Sequence, residues 1–252
     1  VKEMKESAIT IDANGLYYRD LNFKLREMVS AGSKNIELRN VYGQRYIGTN
    51  LNGAAEIHIH GTPGNDLGAF MDGPNIIVHG NAQDGCGNTM NDGKIIVHGR
   101  AGDVAGLSAR GGKIFIRDDV GYRAGIHMKE YEDKKPVLII GGTAQDFLGE
   151  YMAGGVLVIL GLNMEEQGQH RAKFIGTGMH GGVIYLRGSV EDYQLGKEVD
   201  IAQLEEQDYD VLRPLIEEFA SYFEFDPEAI LDEEFMKLYP RWLRPYGTLY
   251  AY

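Results

Sequence analysis

The sequence predicts an all-β chain: a parallel β-helix (solenoid) of about seven rungs, with an N-terminal helical cap and a C-terminal helical tail. Three observations predict it. Asn75-Ile-Ile-Val-His-Gly80 returns thirteen residues later as Lys94-Ile-Ile-Val-His-Gly99, with weaker copies at Glu56–Gly61, Lys113–Asp118, Val137–Gly141, Val156–Gly161 and Val183–Gly188. A second column keeps the same register, a glycine followed three residues later by an apolar residue: Gly48/Leu51, Gly68/Met71, Gly87/Met90, Gly106/Ala109, Gly125/Met128, Gly149/Met152 and Gly176/Met179. Finally, the copies lie 19 to 27 residues apart and hold no ten-residue helical pattern, which excludes helix-containing repeats. Each copy is then one rung, paired with its neighbours as parallel strands about 4.8 Å apart.

Residues 1–33 read as a leader carrying a helix between about Tyr17 and Ala31. Leu21, Leu25, Met28 and Val29 share one face, and Gly32 is placed to end it. Stacked repeats expose their apolar interior at each end, so this stripe is expected to cap the array. The array itself spans 34–190 and opens with the partial copy Asn35–Gly48.

Alternation along the strands assigns Ile57/Ile59, Ile76/Val78, Ile95/Val97, Ile114/Ile116, Val137/Ile139, Leu157/Ile159 and Ile184/Leu186 to the interior. The outward column between them is His58, Ile77, Ile96, Phe115, Leu138, Val158 and Tyr185. A solvated face would be polar there, so this ridge is expected to be covered, either by the C-terminal tail or by another chain. Two repeats carry charged insertions, at 127–136 and 162–174, which read as surface loops and as places for a small-molecule site.

From Ser189 the repeat stops, and 191–252 reads as an acidic helical tail and strap. Leu212, Leu215, Ile216, Phe219 and Phe223 share a helical side, and Pro214 either opens that helix or kinks it. Asp226-Pro227-Glu228 looks like the start of a short helix reaching about Leu238. The aromatic stretch Arg241–Tyr250 suits a strap on another surface, which places Trp242 and Tyr246 with Ile77, Ile96, Phe115, Leu138, Val158 and Tyr185 as expected interface residues.

Composition narrows the function. With 43% apolar residues in 252, the chain can bury a core, and its 34 glycines alternate with packable Ile/Val runs rather than forming a collagen-like or disordered pattern. Glu191–Glu234 holds sixteen acids against Lys197 and Arg213, which leaves the rest of a −12 chain near +2. With no basic stripe, nucleic acid is not an expected partner. No apolar run is long enough to span a membrane and no signal-peptide core opens the sequence, so a soluble, cytoplasmic protein is expected. One cysteine, Cys86, excludes an internal disulfide and a multi-Cys metal site.

Candidate chemistry is thin. Gly176-Thr-Gly-Met-His-Gly181 matches the dinucleotide fingerprint, with Glu198 as the ribose acid, but it runs into a strand instead of opening a helix, so a repeat corner is the better reading. His60, His79 and His98 form an outward column continued by Arg117. A ladder presents parallel rings where zinc needs convergent ligands, which favours stacking over a metal site. Cys86 stands where other copies have apolar residues, and His127, His170 and His180 lack a repeated acid or serine companion. No catalytic, cofactor-binding or metal residue is expected.

The stretches Gly61-Thr-Pro-Gly-Asn-Asp, Met71-Asp-Gly-Pro, Gly87-Asn-Thr-Met-Asn-Asp-Gly and Gly176-Thr-Gly-Met-His-Gly-Gly, with Arg244-Pro-Tyr-Gly, resemble the glycine-repeat domain at the C-terminal end of the glutamate synthase large subunit. The C subunit of formylmethanofuran dehydrogenase carries a similar domain. The resemblance implies a right-handed parallel β-helix with a structural role in an enzyme that hydrolyses glutamine at one site and passes ammonia to an FMN and iron–sulfur site. This chain lacks an N-terminal cysteine, a cluster-binding cysteine set and a βα-barrel. The resemblance therefore implies a non-catalytic scaffold docked to glutaminase and FMN-binding synthase subunits that hold the FMN and iron–sulfur groups. A subunit of a formylmethanofuran dehydrogenase-like complex is the alternative, and a homo-oligomer through the ridge is also left open.

Overall fold

The computed structural model describes residues 8–164 and 169–242. Its architecture is a β-solenoid of about six turns. Eleven strands form one sheet: β1 (Ile9–Asp12), β2 (Asn35–Tyr42), β3 (Glu56–Thr62), β4 (Asp72–Val78), β5 (Asp92–Val97), β6 (Lys113–Ile116), β7 (Val137–Ile140), β8 (Ala153–Ile159), β9 (Gly181–Arg187), β10 (Val199–Gln203) and β11 (Phe235–Pro240). Strands β1 to β9 lie side by side in chain order and pair in parallel, then β11 pairs antiparallel with β9 and β10 antiparallel with β11. The helices are α1 (Tyr18–Ser30), α2 (Glu206–Phe223) and α3 (Pro227–Leu231).

The interior follows from side-chain alternation. Ile57, Ile76, Ile95 and Ile114 stack in one buried column, and Ile59, Val78, Val97 and Ile116 in the next. The second repeat column closes the same core, with Leu51, Met71, Met90, Ala109, Met128, Met152 and Met179 all buried. Helix α1 caps the open end as expected: Leu21 and Leu25 are fully buried in this core, with Met28 and Val29 packed against it and Gly32 just beyond at φ +92°.

The rungs turn on the left-handed repeat glycines Gly48, Gly68, Gly87, Gly106, Gly125, Gly149 and Gly176, and on two further stacked columns of left-handed residues beside them. One runs Tyr46, Asp66, Gly85, Val104, Arg123, Phe147 and Phe174; the other runs Asn50, Phe70, Thr89, Ser108, His127, Tyr151 and Gly178. The left-handed twist aims each amide along the solenoid axis. Thus Asp66 N donates to Asp84 O, Val104 N to Tyr122 O, Phe70 N to Asn88 O and His127 N to Glu150 O, so the corners are laddered as continuously as the strands. Glycine fills the first of these columns throughout, in keeping with the repeat, whereas most positions of the other two carry a side chain.

Three sequence expectations are corrected. In strand β7, Leu138 faces inward and Ile139 outward, because Ile114 pairs with Leu138 and Phe115 with Ile139. Gly141 and Gly142 are adjacent, and it is Gly142 that joins the Gly99–Asp118–Gly161 ladder, so aligning on Gly141 shifts the strand by one residue and flips its faces. The short helix after Asp226 stops at Leu231, and Phe235–Pro240 becomes β11, which covers the otherwise open edge of β9. His170, in the second insertion, is buried, with Nε2 2.9 Å from Arg187 O. The strap from Leu243 to Tyr250 lies outside the described residues.

Candidate functional site

The apolar ridge on the outer face of the sheet is the first place the sequence directs attention. Ile96, Phe115, Val158 and Tyr185 are buried and Ile77 is half-buried, and together with Ile139 they pack under Leu212, Leu215, Ile216, Phe219 and Phe223 of α2. The apolar stripe of α2 therefore fills the ridge, and the chain's own tail is the cover. These residues do not form a free docking surface, and Leu138 belongs to the inner core. Of the remaining expected interface residues, Trp242 is 66% exposed and Tyr246 lies outside the described residues.

Polar contacts pin both ends of α2. Near its start, Asp208 accepts from Tyr185 Oη at 2.8 Å and pairs with Lys237 Nζ at 2.7 Å. Burial alone would raise the Asp208 pKa, but the Lys237 bond and the Glu205 and Tyr185 donors outweigh it and the net shift is downward. Three and four strands away from β9, Glu218 takes Lys113 on β6 and Lys94 on β5, the latter at 2.6 Å. Burial again opposes ionisation of Glu218, and the two lysines reverse it. Pro214 sits inside the helix, where it supplies no amide to the helical ladder.

Beyond the end of α2 the sheet carries histidines. His60 and His79 stack at 4.6 Å between centroids and His79 and His98 at 5.5 Å, with Phe223 edge-on to His98 at 5.1 Å. His58, not foreseen in this ladder, adds a stacked ring 5.2 Å from His79. Burial first, then neighbouring charge, holds His79 and His98 below the usual histidine pKa, so neutral rings are favoured. Among the described residues no group of three or more His, Cys, Asp or Glu is placed to hold a metal ion.

The glycine fingerprint is architecture. Gly176 and Gly178 occupy corner positions at φ +67° and +70°, and the Tyr151 ring lies where a Gly178 side chain would go. Glu198 Oε2 accepts from Gly178 N at 3.0 Å, so the residue in the place of a ribose acid ties one rung to the next. His180 Nδ1 lies 3.1 Å from Gly178 O, and His127 stacks on Tyr151 at 5.4 Å. Cys86 is wholly buried, and burial pushes its thiol up to about 12.

The first insertion folds back over the rungs through Lys134, which pairs with Asp72 at 3.1 Å and Asp92 at 3.4 Å. The second borders a polar cleft of about 460 Å³ lined by Asp119, Thr143, Gln145, Asn163 and Arg171. What the described surface does expose is aromatic: Phe70, Tyr122, Tyr151 and Phe174 all stand on the corner face, with Phe147 stacked on Phe174 at 4.9 Å. Sequence reasoning missed this face because its residues carry no alternating pattern; the signal was the positions two before and two after each repeat glycine, as in Phe147 and Tyr151 around Gly149. No described helix is long and apolar enough to cross a membrane.

Comparison with known proteins gives two findings. The family described as GXGXG motif matches residues 26–244. An uncharacterized protein of Methanocaldococcus jannaschii is 48% identical over 261 residues, covering 100% of this chain and 98% of that protein.

Proposed function

Because the chain belongs to the GXGXG motif family, we propose that it is a stand-alone glutamate synthase-type domain acting as a non-catalytic scaffold in glutamate biosynthesis, docked to separate glutaminase and FMN-binding synthase subunits. The observation that carries this reading is the corner face. Phe70, Tyr151 and Phe174 hold left-handed backbone, an unfavourable state for bulky side chains, and stay exposed. Core burial therefore does not offset that strain, which supports a reading in which these side chains are buried against a partner.

With the ridge sealed by α2, the exposed corner aromatics are the surface this reading gives to the partners. The single, fully buried Cys86 cannot ligate an iron–sulfur cluster, which supports a reading in which partner chains carry that group, and the FMN with it. The test is co-expression with glutaminase and FMN-binding subunits. The expected result is one complex containing FMN and iron, from which a Phe147→Asp/Phe174→Asp variant drops out while remaining folded. Recovery of the chain alone with turnover of its own would overturn the scaffold reading, and co-purification with molybdenum or tungsten partners would replace it with the formylmethanofuran dehydrogenase-like alternative.

A further inference from the structure

The chain divides its charge between two helices. On α1, Arg19, Phe23 and Arg26 lie at helical spacing on one exposed face, and Lys24 and Arg45 flank it. Phe23 is 59% exposed, and beside it a cavity of about 560 Å³ is lined by Tyr18, Arg19, Arg26, Tyr46 and one acid, Asp20. Tyr46 holds φ +62° there, with Arg45 5.5 Å from the Tyr18 ring. Among the described residues none of Arg19, Lys24, Arg26 and Arg45 pairs with a carboxylate.

The outward face of α2 is the complement. Glu206, Asp210 and Glu217 are exposed and, among the described residues, in no ion pair; the exposed Val211, Arg213 and Pro214 lie between the last two, with Arg213 already paired to Glu228 at 2.6 Å. Arg19 and Arg26 are seven residues apart, as are Asp210 and Glu217. At 1.5 Å per residue both pairs span about 10.5 Å on one helix face. Each brackets an apolar centre, Phe23 on one side and Val211 with Pro214 on the other.

We propose that α1 of one copy docks on α2 of a second copy, with Arg19 and Arg26 meeting Asp210 and Glu217 around Phe23. The matched spacing, the opposite sign and the absence of internal partners on both sides argue for this occupant. An exposed Tyr/Phe/Arg cluster is also the composition of interface anchors. The contact joins two different surfaces, so two copies either exchange it twice or add on head to tail.

Light scattering after size exclusion, with the full chain at low and high salt, tests the proposal. The expected result is a mass above the monomer at low salt that falls as salt rises. Arg19→Glu/Arg26→Glu and Asp210→Lys/Glu217→Lys should each weaken association about tenfold or more, and the four changes together should restore it. Phe23→Ala, at a site too exposed to unfold the chain, should weaken it as well. A monomeric wild type at low salt overturns the proposal. So does unchanged mass in the charge-reversed chains, or failure of the combined reversal to recover it.

Discussion

His58 Nδ1 lies 2.9 Å from His79 Nε2, and His58 Nε2 lies 3.0 Å from Glu56 Oε1. With Glu56 ionised, His58 donates through Nε2, so its Nδ1 must accept and His79 must donate through Nε2. Both tautomers are fixed by one carboxylate, and a proton added to His58 would reverse the second bond.

This ladder predicts acid lability. His79 and His98 have folded pKa values below their ordinary 6.5. The unfolded chain therefore binds protons first as pH falls, and the stabilisation present above about pH 6.5 is lost as pH drops through the folded values. Thermal melts across this window should show a falling midpoint, and His79→Gln/His98→Gln should flatten the dependence. An equal slope in both proteins would disprove the assignment.

Glu218 and Phe219 hold α2 on the sheet by different means. Glu218→Ala leaves Lys94 and Lys113 without their carboxylate and should cost about 1–2 kcal/mol, discounted for the partial exposure of both lysines. Phe219 is fully buried, so Phe219→Ala should cost about 3–5 kcal/mol. Gly141→Ala should disturb both the sheet and this contact, since an added methyl group would collide with the Arg117 carbonyl oxygen and stand 2.7 Å from Phe219 Cζ. Chemical denaturation ranks the variants, and hydrogen exchange in α2 shows whether the helix is what detaches.

The corner columns give a prediction of opposite sign. Val104 is β-branched at φ +53°, a state Asn tolerates far better. Val104→Asn should leave the melting midpoint unchanged or raise it. Gly87→Ala should lower it, because the new methyl group would collide with Ile114 Cδ1 at a backbone φ of +73°.

Cys86, with its thiol raised to about 12 by burial, should be inert to thiol reagents in the native state and react at the rate of global opening. Labelling at rising denaturant reads this directly; rapid labelling of the native chain would contradict the burial.

Much of this architecture was legible because repetition amplifies weak signals. Gly68, Gly87, Gly106 and Gly125 each say little alone, but together with Met71, Met90 and Met128 they set a register that the strand pairing follows. Where repetition ended, legibility ended. The Ile9–Asp12 strand has four residues and no echo, and Phe235–Pro240 gains its strand form from β9 and β10 rather than from an alternating pattern. Leu138 was misplaced because Gly141 and Gly142 offered two anchors where other rungs offer one. The ridge was visible in Ile77, Ile96 and Phe115, and the C-terminal tail was one of two covers it admitted; the choice between them was not legible, since α2 meets these residues across roughly a hundred positions of sequence and leaves no local trace.

Stacked rungs interact only with their neighbours, so a bare solenoid melts piecemeal from whichever junction is weakest. Helix α2, about 27 Å long, runs from Tyr185 on β9 back to Lys94 on β5 and ties together rungs that never touch. It works as a splint: fraying at any one junction beneath it strains contacts at all the others, and that half of the rod is bound to unfold as a single cooperative unit while the rungs of β2 and β3 remain free to open on their own.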